Sequence, residues 1–319
     1  MNEFEIIKKY FSGLTKNNKS SLKLNDDIFF DKSKKLAISV DSYVEGIHFI
    51  DFKKPHLVIK KIIRSSISDL ICKGVEPKYY FISGSGNKKF FTKSNLTKIS
   101  NSLKQEQKKY NIFLCGGDTV FSKKLSFTIT TLGFSDKIVS RNKAKLNDNI
   151  YVTGNLGDSY AGLKILKNKY NIKKNLKRYF VNTYYQPNVY LNLAKKLFLF
   201  ANTSIDISDG LIDDLSKMIN RQNLSFHLFE KKIPVSKKLS NFIKNKKLNK
   251  IDLISNGDDY QVLFTAGINK ARIIQNASKT TGIKITKIGK IVSGKNRSLI
   301  FDQKGKQIQA KSKGYIHRF

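Results

Sequence analysis

Two hydrophobic periodicities organise this chain. Residues 36–41 (Leu-Ala-Ile-Ser-Val-Asp) alternate, which predicts a strand with Leu36, Ile38 and Val40 on one face. Residues 55–73 read as a helix that contains Asp69, 79–83 as a second strand, 92–109 as a polar helix, and 111–115 as a strand entering Gly116-Gly117-Asp118. Leu125 to Phe134 alternates again. The first eleven residues predict an amphipathic helix with Phe4, Ile7 and Phe11 aligned. Periodicity fades over the polar, basic stretch 135–149, which sets a boundary between one unit over 1–140 and another over 141–319. In the second unit, residues 150–154 read as a buried strand, 158–168 and 188–200 as helices, and 204–207 as a strand leading into a helix. A strand at 259–265, a helix at 268–281 and strands near 283–292 and 298–302 complete it. Strands tend to alternate with helices in both units, so the predicted class is mixed α/β.

Composition changes this picture in one respect. Against 60 Lys+Arg the chain has only 24 Asp+Glu, yet half of those acids fall in six short segments. These are Asp26-Asp27, Asp41 with Glu45, Asp69, Asp118, Asp206/Asp209/Asp213/Asp214, and Asp258-Asp259. Most sit beside Gly, Ser or Asn at expected strand ends. Carboxylates gathered without matching Arg repel one another, and a hard cation relieves that repulsion. Mg²⁺ held by carboxylates and substrate phosphates is the common arrangement. The pattern therefore points to a nucleotide-handling enzyme with several Mg²⁺ ions.

Each segment also has a plainer reading. Asn25-Asp26-Asp27 fits a turn, and Asn256 to Tyr260 fits a hairpin turn. Asp41 fits a strand-end cap, and Gly116-Gly117 a tight turn. Asp69 in a helix interior faces either solvent or a ligand. If its strand persists, Asp206 shares a face with Ser208, and Ser208 or Asp209 caps the next helix. His48 is a lone histidine, read by itself as structural.

Other classes are disfavoured. The net charge of +36 is spread over both halves without a basic tail, so neither nucleic acid nor membrane is an expected partner. No apolar run reaches membrane-spanning length. Cys72 and Cys115 offer neither a disulfide framework nor zinc spacing, and the N-terminus lacks a signal-peptide pattern, so a cytoplasmic enzyme is expected. Nucleophile-elbow and Walker-type patterns are absent.

Taken in order, the segments resemble the thiamine-monophosphate kinases of the aminoimidazole-ribonucleotide-synthetase-like superfamily. The resemblance runs through Asp26-Asp27, Ile38-Ser39-Val40-Asp41, Val44-Glu45-Gly46-Ile47-His48-Phe49 and Ser68-Asp69-Leu70. It continues through Gly116-Gly117-Asp118-Thr119, Tyr151 to Gly154, Ile205 to Leu211, Gly257-Asp258-Asp259-Tyr260 and Lys313-Gly314-Tyr315. It implies a two-domain α/β enzyme with the ATP site between the domains, a homodimer joined through its N-terminal domains, and phosphorylation of thiamine monophosphate by ATP. The Mg²⁺ ligands it implies are Asp27, Ser39, Asp41, Asp69, Asp118, Asp206 and Asp209. The nucleotide contacts it implies are Tyr110, Gly117, Asp118, Arg141 and Ser208. For the thiamine substrate it implies His48, Asp258 and Tyr315, and it assigns no catalytic acid or base. Asn25 stands where the family usually has Gly, Val40 where it has Thr, and Asp258 where it has Glu. A sister enzyme of the superfamily is the alternative, and a basic RNA-binding protein a more distant one.

Overall fold

The computed structural model describes residues 1–317 and 319. The first half forms strands β1 (Phe29–Asp31), β2 (Leu36–Val44), β3 (Pro77–Gly86), β4 (Phe113–Phe121) and β5 (Ser126–Phe134). They make one five-stranded sheet in the order β1-β2-β5-β3-β4. The second half forms β6 (Asn149–Thr153), β7 (Thr203–Asp206), β8 (Leu224–Phe229), β9 (Val262–Ala266), β10 (Ile285–Ser293), β11 (Leu299–Phe301) and β12 (Gln307–Ile308). These make a seven-stranded sheet in the order β12-β11-β8-β10-β6-β9-β7. The paired strands run antiparallel except β3 with β4 and β8 with β11. The α-helices are α1 (Glu3–Ile6), α2 (Pro55–Cys72), α3 (Lys93–Tyr110), α4 (Asp158–Leu166), α5 (Lys174–Tyr185), α6 (Leu211–Met218), α7 (Lys237–Lys246), α8 (Lys250–Ile254) and α9 (Ala271–Thr281).

Helix α2 positions the site. It packs on β2 and β5 of the first sheet and also touches β7 of the second. Its apolar residues Val58, Ile59, Ile62, Ile63 and Ile67 are fully buried. So are Lys61, Ser66 and Ser68, whose polar groups can be tolerated there only with partners. The close approach of α2 explains β2. Small Ala37 and Ser39, with Tyr43, face inward and are buried, whereas Leu36, Ile38 and Val40 lie on the outer face, Val40 at 62% exposure.

Other expectations need revision. The N-terminal helix is short, capped by Asn2 through a reciprocal bond with Glu5, and continues irregularly to Thr15. Phe4, Tyr10 and Phe11 remain exposed. Residues 191–199 form a 3₁₀ rather than an α-helix. The strand at 113–121 continues through Gly116-Gly117-Asp118 rather than turning, with a register shift against β3 just before Gly116. Asn256 to Tyr260 is an irregular passage from α8 into β9, not a hairpin, with Asp258 and Tyr260 at φ of 63° and 51°.

Candidate active site

Strand β7 ends at Asp206, so the expected shared face with Ser208 does not form. The next helix, α6, is capped neither by Ser208 nor by Asp209. Its N-cap is Gly210, and Asp214 reaches back to accept the N–H groups of Asp209 (3.0 Å) and Gly210 (2.9 Å). Only glycine suits that cap, because its φ is 134° and a Cβ would strike the Ser255 carbonyl. The loop it holds lies against the Gly257 turn. Ser208 O accepts the Asp258 N–H at 2.8 Å, and Ile207 O accepts the Tyr260 N–H at 2.8 Å.

Carboxylates from four segments meet beside this loop. Oxygens of Asp27, Asp69 and Asp206 lie within 4.8 Å of one another. Ser39 Oγ donates to Asp69 Oδ2 at 2.5 Å, and Ser68 Oγ donates to Asp206 at 2.8 Å. Asp41 completes the group from β2, and its Oδ2 is buried without a hydrogen-bond partner among the described residues. Burial, then the charges of Asp41 and Asp206, push the Asp69 carboxyl well above its ordinary range. Burial also raises Asp41 and Asp206 to about 6. Such a set fits a hard divalent cation, which would satisfy the orphaned oxygen and bring these carboxyls back down.

The acids are not without cations, contrary to expectation. Lys73, fully buried at the end of α2, bonds Asp26 (2.7 Å), Asp27 (2.6 Å) and the Ser204 carbonyl (2.7 Å). Arg141 forks onto Asp27 from the other side. Asp209 belongs to a second group with Asp213 and Asp214 around Lys217, whose ammonium lies 2.5 Å from Asp209 and 2.7 Å from Asp213.

A third group adjoins these. His48 Nδ1 accepts the Val44 N–H at 3.0 Å, and its ring lies 5.3 Å from that of His317, which in turn is 5.0 Å from Tyr315. The Tyr315 N–H donates to Asp209 O at 3.0 Å, so the C-terminal segment links the Asp209 loop to His48. Asp258 pairs with buried Lys61 and accepts the Tyr260 hydroxyl at 3.1 Å. The Lys61 ammonium also sits 3.9 Å over the Tyr184 ring. Neighbouring Asp259 is structural. Both its oxygens accept the Gly157 N–H, at 3.0 and 2.8 Å, at the start of α4.

Asp118, Gly117 and Tyr110 lie apart from this centre. Asp41 pairs with Ile129, Ile129 with Ile82, and Ile82 with Gly117, so three strand spacings separate β2 from β4. That is roughly 14 Å. Asp118 is exposed and accepts the following N–H, at 2.7 Å. Gly117 has a packing role of its own, since a Cβ there would strike the Ile82 carbonyl. Tyr110 is buried beside Arg64, which pairs with Glu106. Sequence reasoning missed Lys61 and Lys73. The signal available was a lysine next to an apolar helical stretch, which by itself reads as a solvated position.

The state of His48 gives a testable pH dependence. Burial, then the neighbouring His317, lower it from 6.5 to about 4, against the opposing pull of Asp258. The unfolded chain therefore takes up this proton first, and acidification from 6.5 toward 4 costs stability. Melting temperatures of H48Q are expected to fall less steeply with acid over that window than those of the wild type. Parallel profiles would place the protonation elsewhere.

The family model for the N-terminal domain of AIR synthase related proteins matches residues 24–135. A protein named thiamine-monophosphate kinase from Buchnera aphidicola (subsp. Acyrthosiphon pisum) is 36% identical, with 99% of this chain and 98% of that protein covered. One of the same name from Escherichia coli is 29% identical over 99% and 98%. A solved structure described as AaThiL complexed with AMPPCP and TMP superposes with a TM-score of 0.85, at 26% identity, covering 99% of this chain and 97% of that one. The thiamine monophosphate kinase of Aquifex aeolicus superposes at 0.77, with 27% identity over 93% and 97%.

Proposed function

The chain belongs to the thiamine-monophosphate kinase family, and from that premise we propose that it transfers the γ-phosphoryl group of ATP to thiamine monophosphate, forming thiamine diphosphate and ADP. The observation that carries this reading is the meeting of Asp27, Asp41 and Asp69 with Asp206, two halves of the chain converging on one point. Mg²⁺ held by these residues and by Asp209 would neutralise phosphate charge during in-line transfer. The acceptor is a phosphate oxygen, already anionic near neutral pH, so no general base is required. The residues' task is alignment and charge compensation.

We assign Arg141 and Ser208 to the nucleotide. His48, Asp258 and Tyr315 form the side on which we place the thiamine moiety. A thiazolium is a cation, and the Asp258 carboxylate, which it would share with Lys61, and the nearby tyrosine rings are the groups that would face it. Neutral His48 adds no repulsion.

We place the division between an N-terminal metal- and ATP-binding unit and a C-terminal unit at residues 140–141, between the two sheets. We also propose a homodimer joined through the first sheet. Its outer face presents Val40, Phe81 and Phe134, and the edge strand β4 leaves Phe113, Val120 and Phe121 exposed. Covering that edge with a second copy would complete the site with Gly117 and Asp118 from the partner subunit, and Tyr110, buried beside Arg64, would stay behind them. The unpaired cysteines fit a cytoplasmic setting.

The test is a product assay with Mg-ATP and thiamine monophosphate. Thiamine diphosphate and ADP are expected in equal amounts, and chelator should abolish both. ADP without thiamine diphosphate would redirect the assignment to a sister reaction. Salt-sensitive RNA binding without turnover would favour the RNA-binding alternative.

A further inference from the structure

We propose that Lys73 is a built-in counter-ion of the acidic centre, standing where a further divalent cation would otherwise sit between Asp26 and Asp27. The inference rests on the reading of this centre as a Mg²⁺ site.

The geometry is specific. All three ammonium donors are used, on Asp26 Oδ1 (2.7 Å), Asp27 Oδ2 (2.6 Å) and the Ser204 carbonyl (2.7 Å). The side chain has no solvent exposure. It enters from the α2 end, where the Ser204 hydroxyl fastens the backbone by donating to Cys72 O at 2.5 Å. To vacate this place the fully buried ammonium would have to leave three acceptors at once. Arg141 differs, since its side chain keeps 12% exposure and it has solvent to turn toward. Asp27 Oδ2 is therefore committed to Lys73, and Asp27 can offer a metal only Oδ1, once Arg141 turns away.

The charge arrangement agrees. Asp26, Asp27, Asp41, Asp69 and Asp206 share this region with Lys73 as its fixed cation and Arg141 as one free to turn away. Lys73 is drawn to one end, on Asp26 and Asp27. Asp41, Asp69 and Asp206 at the other end have no lysine on them: Ser39 bonds Asp69, Ser68 bonds Asp206, and Asp41 Oδ2 has no partner among the described residues. Divalent ions belong to that second end, and their number is lower by one than the carboxylates alone would take.

The test compares the wild type with K73M, both full length. Bound Mn²⁺ is counted by electron paramagnetic resonance with a non-hydrolysable ATP analogue present, and melting is followed in chelator and in Mg²⁺. K73M is expected to bind one more ion per chain than the wild type. It should melt about 10 °C lower in chelator and regain most of that loss in Mg²⁺. If K73M folds only with metal, the double variant K73M/D26N, which removes one charge of each sign, is expected to fold in chelator and to bind the wild-type number of ions. An equal ion count in K73M and wild type, or a melting loss that Mg²⁺ does not restore, would overturn the proposal and leave Lys73 a structural ion pair. A wild type that binds no Mn²⁺ beyond that carried by the nucleotide would overturn the metal reading of the centre itself.

Discussion

Replacing Asp69 by asparagine is expected to stop the enzyme and make the metal-free protein more stable. Asp69 lies between Asp41 and Asp206, and burial together with those two charges raises its carboxyl well above the ordinary range. A carboxyl with a raised folded pKa stabilises the fold only while protonated. That contribution is lost as pH climbs through the window above the unfolded value of ~3.9. At pH 7 in chelator the charged form is therefore a burden. Asparagine removes the charge and keeps an acceptor for the Ser39 hydroxyl, which donates to Asp69 at 2.5 Å. D69N should melt roughly 3 °C above wild type in chelator at pH 7, and the gain should shrink as pH approaches 4. Turnover should fall on the order of a thousandfold, because a charged group at the phosphoryl-transfer centre is lost. Stability gained while activity is lost marks a residue whose strain serves function. A turnover within tenfold of wild type would remove Asp69 from the machinery. A lower melt in chelator would show that it is held by partners rather than strained.

The residues differ in how far they could be read from the chain. Asp69 and Asp206 were legible because each is a charge out of place, one inside a helix and one closing an apolar strand. The helix and strands around them followed from periodicity. The partners were not legible. Asp26 and Lys73 meet only because α2 ends against β7, and nothing local distinguishes Lys73 from a solvated lysine. Equal-looking acids also separate by environment. Asp258 faces Lys61 and Tyr260, whereas adjacent Asp259 turns inward to the start of α4. Asp213 and Asp214 sit in the same dense segment as Asp206 but serve Lys217 and the Gly210 loop. On β2, Leu36, Ile38 and Val40 share a face as the alternation predicts, but alternation alone does not say which face is covered, and a close-packed helix wants small residues beneath it. The more apolar side chains were therefore left outside, on the face we assign to a partner.

That assignment makes the second large prediction, which concerns Asp118. Motif order groups it with the other ligands, but three strand spacings hold it roughly 14 Å from Asp41 within one chain, too far to share an ion. If a second copy covers β4, each site takes Asp69 from one protomer and Asp118 from its partner. D69N and D118N should then each be inactive alone. Unfolded together and refolded as a mixture, they should form about half heterodimers, in which one of two sites carries both aspartates, so activity should return to about a quarter of wild type. The geometry permits no such recovery if both groups act within one chain, because every site in the mixture then carries a lesion. A lesion such as F121E on the exposed edge should yield a monomer by light scattering that neither turns over nor complements. Recovery near a quarter with loss of complementation in F121E would locate the nucleotide end of the site across the sheet edge. An active F121E monomer would return Asp118 to the surface of a single chain and leave the reaction to Asp27, Asp41, Asp69, Asp206 and Asp209.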